Sequence, residues 1–165
     1  MRNVFILLSL LLLFTACRNN ENHLELYHQI ADLEYQLSKS YKPGLGEFMS
    51  SIQVHHEKLW FAGINQNWRL ADFEINEIKE TIDNIKAYCT DRPERNSMTM
   101  IDAPVDSMRS AIGQKNEALF KNDFLTLTNT CNNCHKATDH SFNVIRIPDT
   151  PPFSNQEFKP AENNK

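Results

Sequence analysis

The chain has 165 residues, 41% apolar and 23% charged, enough for one globular core and too few for two substantial ones. A formal net charge of -4 lacks the basic surface that nucleic-acid backbones require. With 4 glycines and no G-x-G-x-x-G or P-loop, nothing is present to cradle a nucleotide phosphate. Nucleic acid and most nucleotide-dependent chemistry are set aside.

The chain begins MRNVFILLSLLLLFTAC. Arg2 precedes an apolar run from Val4 to Phe14, and the small residues Thr15 and Ala16 lead into Cys17, the anatomy of a bacterial secretory signal. The run is shorter than the roughly 20 residues that span a bilayer. A cysteine at that point resembles the lipobox of bacterial lipoproteins, so residues 1–16 are expected to be a lipoprotein-type signal peptide and Cys17 the lipidated first residue of the mature chain. The domain is then placed in the periplasm or cell envelope, anchored by lipid to a membrane.

Residues 17–42 form a linker with a leading helix, in which Leu26, Ile30, Leu33 and Leu37 keep helical spacing. Pro43 and Gly44 break the chain before LGEFMSSIQVHHEKLWFAG, where Phe48, Ile52, Leu59 and Ala62 mark an amphipathic helix over 45–63. From Asn67 to Cys89 the residues Trp68, Ala71, Ile75, Ile78, Ile82, Ile85 and Cys89 recur at steps of three and four, the seam of a longer helix. Its acidic run DFEINEIKE reads as a solvated face. DRPERNSMTMIDA, residues 91–103, reads as a polar connection. Val105, Met108, Ile112 and Leu119 predict a third helix over 105–120, with Asp102 and Pro104 as its cap region. Phe124, Leu127, Cys131 and Cys134 predict a fourth over 122–139, with both cysteines facing the core. Residues 148–165 are rich in Pro and Asn and read as an extended or disordered tail. The fold expected is all-α: an antiparallel four-helix bundle over 43–147, with an extra N-terminal helix and an extended C-terminal tail.

Within the fourth helix stands TCNNCHK, residues 130–136, which holds two of the chain's 4 cysteines. With Cys17 spent on lipid, Cys89, Cys131 and Cys134 are an odd number for a disulfide framework in an oxidising compartment. Cys89 is expected as a small buried hydrophobe. In C-x-x-C-H, two thiols add to the vinyl groups of haem and the next histidine binds its iron. Cys131, Cys134 and His135 fall on one helical turn, as that requires. Two other readings compete. Zinc would take Cys131, Cys134, His135 and His140, although adjacent Cys134 and His135 suit one tetrahedral ion poorly. A thioredoxin-like pair would follow a strand, and no strand-like run precedes Cys131.

A four-helix pattern with C-x-x-C-H on the last helix resembles the cytochrome c-prime class, which includes high-spin members and low-spin electron carriers. HHEKLWFAG, NWRLADFEINEIKE and LTNTCNNCHKATDHSFNVI are similar to exported bacterial haem-binding proteins of this kind, so the resemblance covers about residues 43–147. It implies one haem c per chain, with Cys131 and Cys134 as thioether anchors and His135 as the proximal iron ligand. In that class the distal residue lies early on the first bundle helix, where this chain has Met49. Met49 is therefore the first candidate for a sixth ligand, His56 the second and His55 the third.

The function expected is single-electron transfer by an exported c-type cytochrome, not an enzyme, with redox proteins of the envelope as partners, the membrane reached through Cys17, and a homodimer allowed. An empty sixth position would instead make the chain a binder of nitric oxide or carbon monoxide.

Overall fold

The computed structural model describes residues 23–40 and 43–161. The signal peptide and Cys17 lie outside the described residues. The described residues are all-α: helices joined by turns, with no strand among them. The chain divides between residues 42 and 43 into two units. Among its described residues the first holds one helix, α1, over 23–39, with side-chain bonds between Gln29 and Glu25 and between Gln36 and Asp32, and with Leu26, Ile30, Leu33 and Leu37 exposed. No helix among the described residues is long and apolar enough to cross a membrane.

The second unit holds α2 (Leu45–Ile64), α3 (Trp68–Tyr88), a 3-10 segment (Pro93–Ile101), α4 (Asp102–Gly113) and α5 (Glu117–Ala137). α2 packs along α3 and α4 along α5, while α3 also meets α4 and α2 meets α5. The expected seams face inward: on α3, Ala71, Ile75, Ile78, Ile82 and Ile85 are buried, and on α5, Phe124 and Leu127. Each buried Ile, Leu or Phe among them contributes about 1.5–3 kcal/mol. Around them Trp60, Trp68, Phe120 and Phe124 pack as an aromatic group with ring centroids 4.9 to 6.3 Å apart.

The three tight joints share one device. After α2, α4 and α5 a non-glycine residue takes the left-handed conformation: Gln66 at φ 56°, Lys115 at φ 51° and Asp139 at φ 61°. The next residue's N–H then reaches back five positions, Asn67 to Ala62 O at 2.9 Å, Asn116 to Ala111 O at 3.1 Å and His140 to His135 O at 2.7 Å. These are Schellman turns. In the first two the same asparagine caps the following helix, accepting from Leu70 N–H at 3.3 Å and Leu119 N–H at 3.1 Å.

Three expectations are corrected. The third and fourth helices part at 114–116 rather than near residue 121, because the stop is made by Lys115 and the cap by Asn116, and Leu119 falls on the exposed side of α5. Residues 93–101 are a 3-10 segment, not a bare connection: Met98 and Ile101, one 3-10 turn apart, are buried, and Arg95 Nε donates to Lys86 O at 2.5 Å. Glu74, assigned to a solvated face, is 1% exposed because α3 turns it toward His55, whose Nδ1 lies 2.6 Å from its Oε2.

Gly63 is fixed by close approach. A Cβ there would fall 2.0 Å from Phe120 Cζ, and that ring is fully buried against Trp60, Trp68 and Phe124. The Gly63→Ala variant is expected to lose about 1–3 kcal/mol of stability through overpacking, despite alanine's better helix propensity. Urea denaturation checks this, and an unchanged or stabilised variant would contradict the packing argument.

Candidate functional site

A cavity of about 330 Å³ opens in the second unit, within the size range of cofactor sites. α2 contributes Met49, Ile52 and His56, α3 contributes Ile78 and Ile82, and the 3-10 segment contributes Met98 and Ile101. α5 brings Leu127, Cys131, Cys134 and His135, and the chain beyond it brings Thr138, His140, Asn143 and Ile145. Of the six residues singled out in the sequence as haem anchors or iron ligands, Cys131, Cys134, His135, Met49 and His56 thus line one space, and His55 does not.

Both cysteines are free thiols. Cys134 is buried in a cluster with Ile85, Cys89 and Met98, against which Met49 and Ile52 pack, and Cys131 borders the main core. Burial, and after it the neighbouring Cys134, pushes the Cys131 thiol up to about 12, and burial raises Cys134 too. Both stay protonated at neutral pH. A thiol–disulfide catalyst needs the opposite shift. Cys89 caps α3 as a buried small side chain, and its thiol is likewise raised by burial.

His135 sits in the last turn of α5, its Nδ1 2.6 Å from the backbone oxygen of Asn143. A carbonyl can only accept, so Nδ1 carries a proton, and in the neutral ring Nε2 keeps its lone pair. This second bond is what fixes the tautomer and orientation of a metal-binding histidine.

His56 is arranged differently. Its ring lies 4.4 Å from that of Phe124, and its Nε2 is 2.9 Å from Thr128 Oγ1. The Thr128 hydroxyl donates its one proton to Phe124 O at 2.8 Å, so it accepts from His56 Nε2–H. That leaves Nε2 no lone pair for a metal. Burial drives the His56 pKa down to about 4, keeping the ring neutral. His55 lies outside the lining, bonded to Glu74.

Sequence reasoning missed the contribution of the 3-10 segment and its approach. Met98 is 5% exposed beside Cys134, and Arg92 and Glu94 line the same cavity, joined at 2.9 Å. Glu94's own backbone N–H and then the Arg92 guanidinium hold its carboxyl below the ordinary range. Its Oε2 is buried without a hydrogen-bond partner. The period-three pair Met98 and Ile101 was the legible signal there. His140, named in the sequence only as a zinc candidate, lines the cavity while its Nδ1 meets Thr138 O at 2.5 Å.

Among the described residues no three His, Cys, Asp or Glu side chains converge as a metal-ion site. The polar groups on the cavity's largely apolar wall include two protonated thiols and one oriented imidazole. Comparison with protein-family models, with curated proteins and with solved structures gives no match for this chain.

Proposed function

We propose that α2 to α5 form an antiparallel four-helix bundle that holds one covalent haem c and passes single electrons in the cell envelope. The short joints and the pairings of α2 with α3 and α4 with α5 support the bundle. One observation carries the haem reading: His135, its Nδ1 committed to Asn143 O and its Nε2 free, lines the same cavity as two unpaired, protonated thiols of C-x-x-C-H spacing. Cys131 and Cys134 would each add S–H across a vinyl C=C, sulfur to one carbon and hydrogen to the other, a step without net oxidation. His135 Nε2 would bind the iron on one face. Bound there, haem supplies a one-electron ferric/ferrous couple.

The sulfur side chains at the cavity favour electron transfer over gas binding. Two thioethers, Met49 on α2 and Met98 on the 3-10 segment, border the cavity in the cluster around Cys134. A thioether ligand holds iron six-coordinate and raises its reduction potential relative to two histidines. His56 is better suited to shaping the wall, since its Nε2–H is held by Thr128. Cys17 would tether the domain to a membrane near its redox partners.

The test is spectroscopic. Residues 18–165 are exported to the periplasm alongside haem-attachment machinery, and optical spectra are recorded oxidised, reduced, and reduced with carbon monoxide. Sharp split bands on reduction, unchanged by carbon monoxide, are expected. Either Met49→Ala or Met98→Ala should open the sixth position and make the spectrum sensitive to carbon monoxide. Broad high-spin bands in the unaltered protein that shift with carbon monoxide would replace electron transfer with gas binding, and a chain without haem would end both.

A further inference from the structure

We propose that Asn132, the first variable residue of CNNCH, is a positioning residue that holds the backbone against which the His135 imidazole is set. The inference rests on the haem reading above.

Beyond α5 the Schellman turn at Asp139 reverses the chain, and Asn143 N–H bonds to His140 O at 2.9 Å. From 143 to 148 the chain has no regular helix or strand pairing. Besides the His135 contact, one side chain of α5 grips it by two bonds. Asn132 Nδ2 donates to Ile145 O at 2.8 Å, and Asn132 Oδ1 accepts from Ile145 N–H at 2.8 Å. The side-chain amide thereby pairs with one residue as a neighbouring strand would. Two bonds to the same residue fix both its distance and its rotation.

The register then places Asn143. Positions 132 and 135 are three apart and share a helix face, with Cβ atoms about 5–6 Å apart. Residues 143 and 145 lie two apart on the returning segment, about 6.6 Å if extended. With Ile145 held by Asn132, the Asn143 carbonyl comes to 2.6 Å from His135 Nδ1.

Nothing else in the segment could do this by packing. Residues 141–144 are all exposed, Phe142 at 82% and Val144 at 71%, and from 143 to 148 only Ile145 and, at the far end, Pro148 are half-buried. The donor bond from Nδ1 makes an imidazole a stronger ligand and fixes its plane. Asn132 therefore acts on the iron through two backbone links, without touching it.

Haem-loaded wild type, Asn132→Ala, Asn133→Ala and Ile145→Pro are compared. Ile145→Pro removes the N–H that Asn132 accepts and leaves the attachment motif intact. Asn133 is exposed and serves as the control. The readouts are reduction potential, the NMR signal of the proximal Nδ1 proton, and hydrogen exchange of the Ile145 amide in the proteins that keep it. Asn132→Ala and Ile145→Pro should both raise the potential, with a change on the order of tenfold in the ferric/ferrous ratio at fixed potential. The Nδ1 proton should exchange faster in both, and the Ile145 amide faster in Asn132→Ala, while Asn133→Ala matches wild type. Wild-type potential and exchange in Asn132→Ala would overturn the proposal. If that variant fails to take up haem, Ile145→Pro decides, a raised potential supporting the link and an unchanged one overturning it. A wild-type chain that binds no haem is a separate result, the failure of the underlying haem reading, and would take this proposal with it.

Discussion

Replacing Cys131 and Cys134 together by alanine is expected to abolish covalent haem while leaving the helical unit folded, and each single replacement should leave haem held by one thioether. The two thiols are unpaired and protonated, so removing them breaks no disulfide and uncovers no buried charge. What is lost is packing, about 1 kcal/mol for each sulfur removed from the half-buried and buried sites. The observable is all-or-none. Mass spectrometry after extraction with acidified acetone should find the wild-type chain heavier by one haem and the double variant at its polypeptide mass. His135→Ala separates the two roles, since it leaves both thiols and should change the optical spectrum without removing covalent haem made by the thioethers. A double variant that still carries haem through the acid step would show that the attachment lies elsewhere, with Cys89 the next residue to replace.

The parts of this fold that were legible in the sequence are those carried by one side chain repeating along one helix. The seam of α3 from Trp68 to Ile85 and that of α5 from Phe124 to Cys134 follow from spacing alone, because burial of one stripe is what stabilises an amphipathic helix. The break at 114–116 was not, since a reader of turns looks for glycine in the left-handed position and this chain uses Lys115. The usable sign was the asparagine that follows, which recurs as Asn67 and Asn116 and caps the next helix each time.

In the candidate site the division runs the same way. Cys131, Cys134 and His135 are neighbours in sequence, so their grouping is local. Met49 was suggested by the resemblance to the cytochrome c-prime class, and it lines the cavity with them. Contacts between distant residues had no sequence signal at all. His56 and Thr128 are 72 positions apart, and Asn132 reaches Ile145 only because a turn at Asp139 sends the chain back. Glu74 was misassigned for the same reason: its charge argued for solvent, and the partner that lets it be buried, His55, sits on another helix.

Stability is expected to fall by about 3 kcal/mol through His56 alone as pH drops from about 7 to about 4. The ordinary histidine value is 6.5, and burial lowers His56 to about 4 in the folded chain. Between those values the unfolded chain binds a proton that the folded chain refuses, so protonation draws the equilibrium toward unfolding. The contribution is fully present above pH 6.5 and is lost as pH falls toward 4, at about 1.4 kcal/mol per pH unit. The structural cause is local: the ring is packed on Phe124, its Nε2–H is already given to Thr128, and no carboxylate is bonded to the ring to offset the burial that disfavours its charge. Carboxylates elsewhere also titrate in this range, so the measurement is a difference between two proteins. His56→Gln keeps an N–H able to reach the Thr128 hydroxyl and cannot ionise. Urea denaturation at about pH 7 and about pH 4 should show wild type losing about 3 kcal/mol more than His56→Gln. Equal losses in the two would mean that the folded chain accommodates a charged His56, and with it that this wall of the cavity is wetter and looser than its packing against Phe124 and Thr128 implies.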